Sequence, residues 1–173
     1  MRRLNSPPGN WQSQGIFFLV ILLVAAADQL SKLWVRNNLA LGQSLPEKGI
    51  LRLTHVTNDG IIFGLHAPQM LSLVIPIVVV ITALFLYYYC MYRYILPDSQ
   101  LIKIGFGLVV GGSIGNLVDR FRFGYVTDFI DFRLWGDFHW PTFNLADSTL
   151  VIGIILIIYF LLRLKTFQST DPG

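Results

Sequence analysis

Residues 16–35 read Ile16-Phe17-Phe18-Leu19-Val20-Ile21-Leu22-Leu23-Val24-Ala25-Ala26-Ala27-Asp28-Gln29-Leu30-Ser31-Lys32-Leu33-Trp34-Val35. A bilayer core takes about 20 mostly apolar residues in helical form. This run reaches that length only by carrying Asp28, Gln29 and Lys32 within it. Asp28 and Lys32 stand four apart, so on a helix they share one face with the acid N-terminal to the base, the favourable order. Arg2 and Arg3 ahead of the run and Ala25-Ala26-Ala27 inside it are similar to a cleavable secretory signal. The apolar residues continue through Leu33, Trp34 and Val35, so a retained span over about 15–35 is the expectation.

Three further stretches have the same character: about 70–91, uncharged; about 101–117, glycine-rich and interrupted only by Lys103; and about 148–162. Helix is the expected form of each, because lipid leaves the backbone no other partner for its polar groups. Composition agrees. Of 173 residues 54% are hydrophobic and 13% charged, against about 25% charged in soluble domains; mean hydropathy is +0.59. Aromatics at 14% exclude disorder. One cysteine, Cys90, excludes a disulfide framework, and three histidines allow no zinc-finger spacing. The net charge of +3 is spread without a Lys/Arg block, so nucleic acid is not an expected partner. The reading is one integral membrane domain over 1–173, an all-α protein of four transmembrane helices.

Four spans put both termini on one side and the segments 37–69 and 118–147 on the other. Counting Lys and Arg leaves the orientation open, six on the terminal side against seven opposite. Within the first segment, Ile50 to Val56 alternates like a half-buried strand. The second holds nine aromatic residues between Phe121 and Phe143, a density suited to the membrane–water boundary. A small β-sheet with an interfacial segment is expected to cap the helices on that face.

Ionisable groups in a span are costly to bury unless paired, and they mark function by default. Asp28 and Lys32 also allow a plain structural pair. In the third span Gly107, Gly111 and Gly115 fall four apart, a ridge for close helix approach; Gly112, Asn116 and Arg120 line the neighbouring ridge. Asp147 stands where the fourth helix begins and is expected as its N-cap. Asn144 lies three residues earlier, and Val126-Thr127-Asp128-Phe129 adds a further acid. Carboxylates, amides and one guanidinium therefore concentrate at a single membrane boundary.

Gly111-Gly112-Ser113-Ile114-Gly115 has nucleophile-elbow spacing, but that motif needs a strand-to-helix turn and here lies inside an apolar helix. No His-Glu-x-x-His is present for metalloprotease chemistry. What remains is a carboxylate pair, in which one acid keeps a proton while its ionised partner activates water. The candidates are Asp119, Asp128, Asp131 and Asp147, and spacing alone leaves their pairing open.

Taken in order, Asp28-Gln29-x-x-Lys32, Asn58-x-Gly60, Gly111-Gly112-x-x-Gly115-Asn116-x-x-Asp119-Arg120, Val126-x-Asp128-Phe129 and Phe143-Asn144-x-Ala146-Asp147 resemble the lipoprotein signal peptidase (signal peptidase II) family over about residues 15–165. The resemblance implies an aspartic endopeptidase of the bacterial cytoplasmic membrane, with both termini cytoplasmic and the capped face extracytoplasmic. It implies cleavage of prolipoproteins on the N-terminal side of a diacylglyceryl-modified cysteine. Asp128 and Asp147 match the catalytic dyad. Asn58, Gly60, Asn116, Arg120 and Asn144 match positions around the substrate pocket, and Asp28 and Lys32 match the motif of the first helix. Membrane lipid and globomycin-type peptide antibiotics are the other implied partners; no metal or cofactor is implied. Ile61 and Ile62 replace the small residues usual after Gly60, and Asp59 stands where Thr is common, which bears on how the substrate-facing segment fits.

A reading from another class is a transporter or channel subunit using Asp28, Lys32 and Asp119 as a proton path; acids at one boundary rather than mid-membrane disfavour it. A passive assembly factor held by the glycine ridge is a third. Cys90, near Tyr87-Tyr88-Tyr89, is expected only to pack.

Overall fold

The computed structural model describes residues 11–60, 69–93, 99–135 and 138–169. The elements in chain order are α1 (Trp11–Asn38), β1 (Ser44–Leu45), β2 (Leu51–Asn58), α2 (Gln69–Arg93), α3 (Gln100–Phe123), β3 (Val126–Trp135), β4 (Phe138–His139) and α4 (Leu145–Ser169). All four helices are long and apolar enough to cross a membrane. Ile61 and Ile62 lie outside the described residues.

α3 is the central helix: 67% of its span is buried, against 17% in each of the others. Its glycines are the reason. A Cβ on Gly107 or Gly111 would come within 2.9 Å of the Val20 or Val24 side chain of α1, and one on Gly112 would meet the Ala146 carbonyl oxygen of α4 at 2.5 Å. The ridge over 107, 111 and 115 therefore packs on α1, while Gly105 and Gly112 receive α4. Phe17, Tyr87, Phe106 and Val110 close the core between α1, α2 and α3, with the Phe17 and Tyr87 rings stacked 4.0 Å apart. Cys90 is part of this core. Leu22, Phe85, Ile155 and Leu162 are among many large apolar side chains left exposed on the helices, as a lipid-facing surface requires.

The third helix corrects one boundary of the sequence reading. Instead of ending near Leu117 it continues to Phe123 and closes on Gly124, whose φ of 80° is the left-handed C-cap conformation and whose N–H donates to the Arg120 carbonyl. Asp119 is thus helical, as is Arg120, in keeping with the ridge it shares with Gly112 and Asn116. Arg120 and Arg122 fall in the last turn, where cations meet the negative end of the helix dipole.

The capping sheet is antiparallel in the order β1-β2-β3-β4. β2 and β3 pair from Leu51 opposite Phe132 to Asn58 opposite Val126, with an extra residue in β2 between Leu53 and Val56. Residues alternate between the two faces along β3. Phe129 packs with Val35 and Leu39 at the end of α1, and Thr127 bonds to the helices below it. That face anchors the strand; Asp128 lies on the other.

Candidate active site

Thr127 is held at both ends. Its backbone N–H donates to Asp119 Oδ2 at 2.9 Å, and its hydroxyl accepts from Arg36 at 2.9 Å. With the strand so pinned, the Asp128 carboxyl is 2% exposed and accepts from two amides, Asn58 Nδ2 at 2.8 Å on Oδ2 and Asn144 Nδ2 at 2.7 Å on Oδ1. Asn58 belongs to the adjacent strand, opposite Val126. Its side-chain oxygen, Oδ1, accepts the Gly60 N–H at 2.9 Å, a local turn that fixes the amide.

Asp147 is placed differently from the expectation that it caps α4. The N-cap is Asn144, whose Oδ1 accepts the Asp147 N–H at 2.9 Å; Asp147, three residues on, accepts the Asn144 N–H on Oδ2 at 3.2 Å. This is a reciprocal capping box. Oδ1 of Asp147 accepts from Asn116 Nδ2 at 2.8 Å. The two acids, 19 residues apart in sequence, therefore share Asn144 as a neighbour, and Asn116 also bonds to Asn144 through its Oδ1 at 3.0 Å.

Beneath them lies a buried charge network. Lys32 Nζ is 2.9 Å from Asp28 Oδ2 and 3.6 Å from Asp119 Oδ2, and it donates to Asn116 Oδ1 at 2.9 Å. Asp28 accepts the Ala146 N–H at 3.0 Å, tying α1 to the first turn of α4. Gln29 donates to Asp119 Oδ1 and the Gly115 carbonyl, each at 3.0 Å. Arg36 lies 3.5 Å from Asp119 Oδ1. Arg120 donates to the Gly60 carbonyl at 3.2 Å, bridging α3 to the end of β2.

The nine residues matched to the family motifs thus fall in one connected set: Asp28, Lys32, Asn58, Gly60, Asn116, Arg120, Asp128, Asn144 and Asp147. Arg36 and the backbone N–H of Thr127 belong to it as well. The spacing Asp28, Lys32, Arg36, four apart on one helix face, is the signal that would have brought Arg36 in. Asp131, the other acid on the strand, is turned away to a separate cluster with Arg52 and Thr54. Among the described residues no three His, Cys, Asp or Glu side chains are grouped to hold a metal.

The surroundings of Asp128 favour its protonated form. Burial, and then the negative charge of Asp147, push the Asp128 carboxyl up to about 7, against the lowering effect of the Asn58 and Asn144 donors. Such a pair can hold one proton between two carboxyls near neutral pH. One member is then able to take a proton from water while the other donates one.

Comparison with known proteins converges on one family. The profile of signal peptidase (SPase) II matches residues 20–163. The lipoprotein signal peptidase of Moorella thermoacetica is 41% identical over 157 residues, covering 90% of this chain and 99% of that protein. That of Nostoc punctiforme is 36% identical over 165 residues, covering 91% and 93%. A bacterial membrane enzyme solved by the in meso method at 2.3 Å resolution superimposes with a TM-score of 0.76 at 29% identity, covering 92% of this chain and 93% of the other.

Proposed function

This chain belongs to the signal peptidase II family, and from that premise we propose that it is an aspartic endopeptidase whose dyad is Asp128 and Asp147. Its substrates are prolipoproteins, cut on the N-terminal side of a cysteine that already carries diacylglycerol. The observation that carries the reading is the Asn144 amide, which holds Asp128 with its nitrogen and caps the turn bearing Asp147 with its oxygen.

Asp128, raised to about 7, is the partner that carries the proton at and below neutral pH. Asp147, with the Asn116 amide and a helix N-terminus directed at it, is the base. Asp147 takes a proton from water, and the resulting hydroxide attacks the scissile carbonyl carbon. Asp128 donates a hydrogen bond to the carbonyl oxygen; collapse of the tetrahedral intermediate expels the cysteine amine, which receives a proton from the pair. Arg120, through the Gly60 carbonyl, and Asn58, through its turn, hold the rim of the pocket. Asp28 and Lys32 act beneath it, Lys32 orienting Asn116 toward Asp147.

The termini are cytoplasmic in this reading, and the sheet with its acids faces outward. A scissile bond just beyond the apolar stretch of a signal peptide then meets the dyad at the membrane boundary, and acyl chains stay in lipid between helices. Globomycin-type peptides compete for the same pocket. Purified protein in detergent, with no ion gradient, is expected to release a signal peptide from a diacylglyceryl-modified preprotein and to leave the unmodified preprotein intact. Cleavage that ignores the lipid, or none at all, would refute the assignment.

A further inference from the structure

β3 carries Asp128, Ile130, Phe132 and Leu134 at every second position, and strand alternation puts Asp128 and Phe132 on one face. At the far end of that face Phe132, Leu134, Trp140 and Phe143 line an apolar recess of about 270 Å³. The chain links the recess to the proposed active site through Phe143. Phe143 directly precedes Asn144, exchanges backbone hydrogen bonds with Ile130, and stacks on Phe132 with ring centroids 6.1 Å apart. Leu134 and Trp140 are 41% and 48% exposed, so the recess is open.

Resting on the peptidase reading, we infer that this recess is a substrate subsite that takes an apolar side chain from the preprotein segment on the C-terminal side of the scissile bond. Three arguments select that occupant. The segment before the bond is the apolar signal peptide and stays in lipid, so the segment after it is the one that leaves across the sheet. At about 3.3 Å per strand residue, Phe132 and Leu134 lie about 13 and about 20 Å along β3 from Asp128. An extended chain starting at the lipidated cysteine therefore reaches the recess with its fourth to sixth following residue. The volume falls below the roughly 300–1,000 Å³ of small-molecule clefts, a size for one or two side chains. An acyl chain is the poorer fit, because in the peptidase reading it stays between the helices, whereas the recess is walled by β3 of the capping sheet and by residues 140–143.

The test uses purified enzyme in nanodiscs and diacylglyceryl-modified preprotein peptides that differ only by Phe or Ser at the fourth, fifth or sixth residue past the cysteine. At one of these positions Phe is expected to raise kcat/KM about tenfold, through KM. Leu134→Ser and Trp140→Ala should bring that Phe-to-Ser ratio to about one, while Leu41→Ser, exposed on another part of the molecule, keeps it. Wild-type enzyme that cuts every peptide equally overturns the subsite and leaves the peptidase reading standing. Wild-type enzyme that cuts none overturns both. A preference that survives Leu134→Ser and Trp140→Ala, or that follows acyl-chain length in place of the Phe position, also overturns the subsite.

Discussion

Asn144 and Asp147 cap each other across the first turn of α4, each accepting the other's backbone N–H, at 2.9 and 3.2 Å. Because the Asn144 oxygen is committed to that cap, its nitrogen must face Asp128 and Asn116. One amide thus serves two tasks that substitution can separate. Asn144→Asp keeps an N-cap of equal quality but replaces the donor facing Asp128 with an acceptor. Cleavage is expected to fall at least 100-fold. The buried acceptor set against Asp128 Oδ1 and Asn116 Oδ1 lowers the melting temperature at neutral pH, a loss that eases as the new carboxyl is protonated at low pH. Asn144→Ala removes both functions and should also cost about 1 kcal/mol of stability. Equal losses of activity and stability in the two variants would refute this division.

Asp128 also predicts a pH dependence. Its carboxyl rises from 3.8 to about 7 on folding, so between those values the folded protein binds more protons than the unfolded chain. Stability from this group is therefore greatest below about pH 4 and declines as pH rises to about 7, at up to about 1.4 kcal/mol per pH unit. Asp128→Asn should flatten that decline, measured as melting temperature in detergent between pH 5 and 8. The activity of the wild type should fall above about pH 7 as the shared proton is lost, with both limbs of the profile belonging to the pair.

The Asp28–Lys32 pair is fully buried. Lys32→Met strands Asp28 and Asp119 without their ammonium, an effect of about 3–5 kcal/mol for buried pairs. Adding Asp28→Asn should restore part of the loss, and thermal unfolding of the two single variants and the double variant measures this coupling. Additive losses would show that the two side chains act independently.

Gly112 sets the distance between α3 and α4. A methyl group there would lie 2.5 Å from the Ala146 carbonyl oxygen and 2.6 Å from Thr149 Oγ1. Backbone cannot yield as a side-chain tip can, so Gly112→Ala is expected to cost about 1–3 kcal/mol. Because Asp147 follows Ala146, kcat should fall more than KM. A fully active Gly112→Ala protein would contradict this account of the interface.

The four spans were legible because lipid demands long apolar helices, and β2 because alternation survives in a half-buried strand. Partners along the chain were not. Gly107, Gly111 and Gly115 announced a close helix without naming it; Val20, Val24 and Asp28 of α1, equally spaced by four, prove to be what they meet. The third span is bounded near Leu117 by hydropathy because Asp119, Arg120 and Arg122 look water-facing, although the Gly112-Asn116-Arg120 spacing already sets Arg120 on the helix; Asp119 and Arg120 prove to be buried among helical and strand partners. Asn and Asp cap equally well, so their order three apart could not say which residue was the cap. β1 and β4, two residues each, are too short to show any period.

The central claim is that Asp128 and Asp147 together cut the peptide bond. It is tested most directly by single-turnover cleavage of a diacylglyceryl-modified preprotein with purified Asp128→Asn and Asp147→Asn proteins whose melting temperatures show them to be folded. Each is predicted to leave the substrate uncut. Turnover near the wild-type rate in either folded variant would contradict the claim.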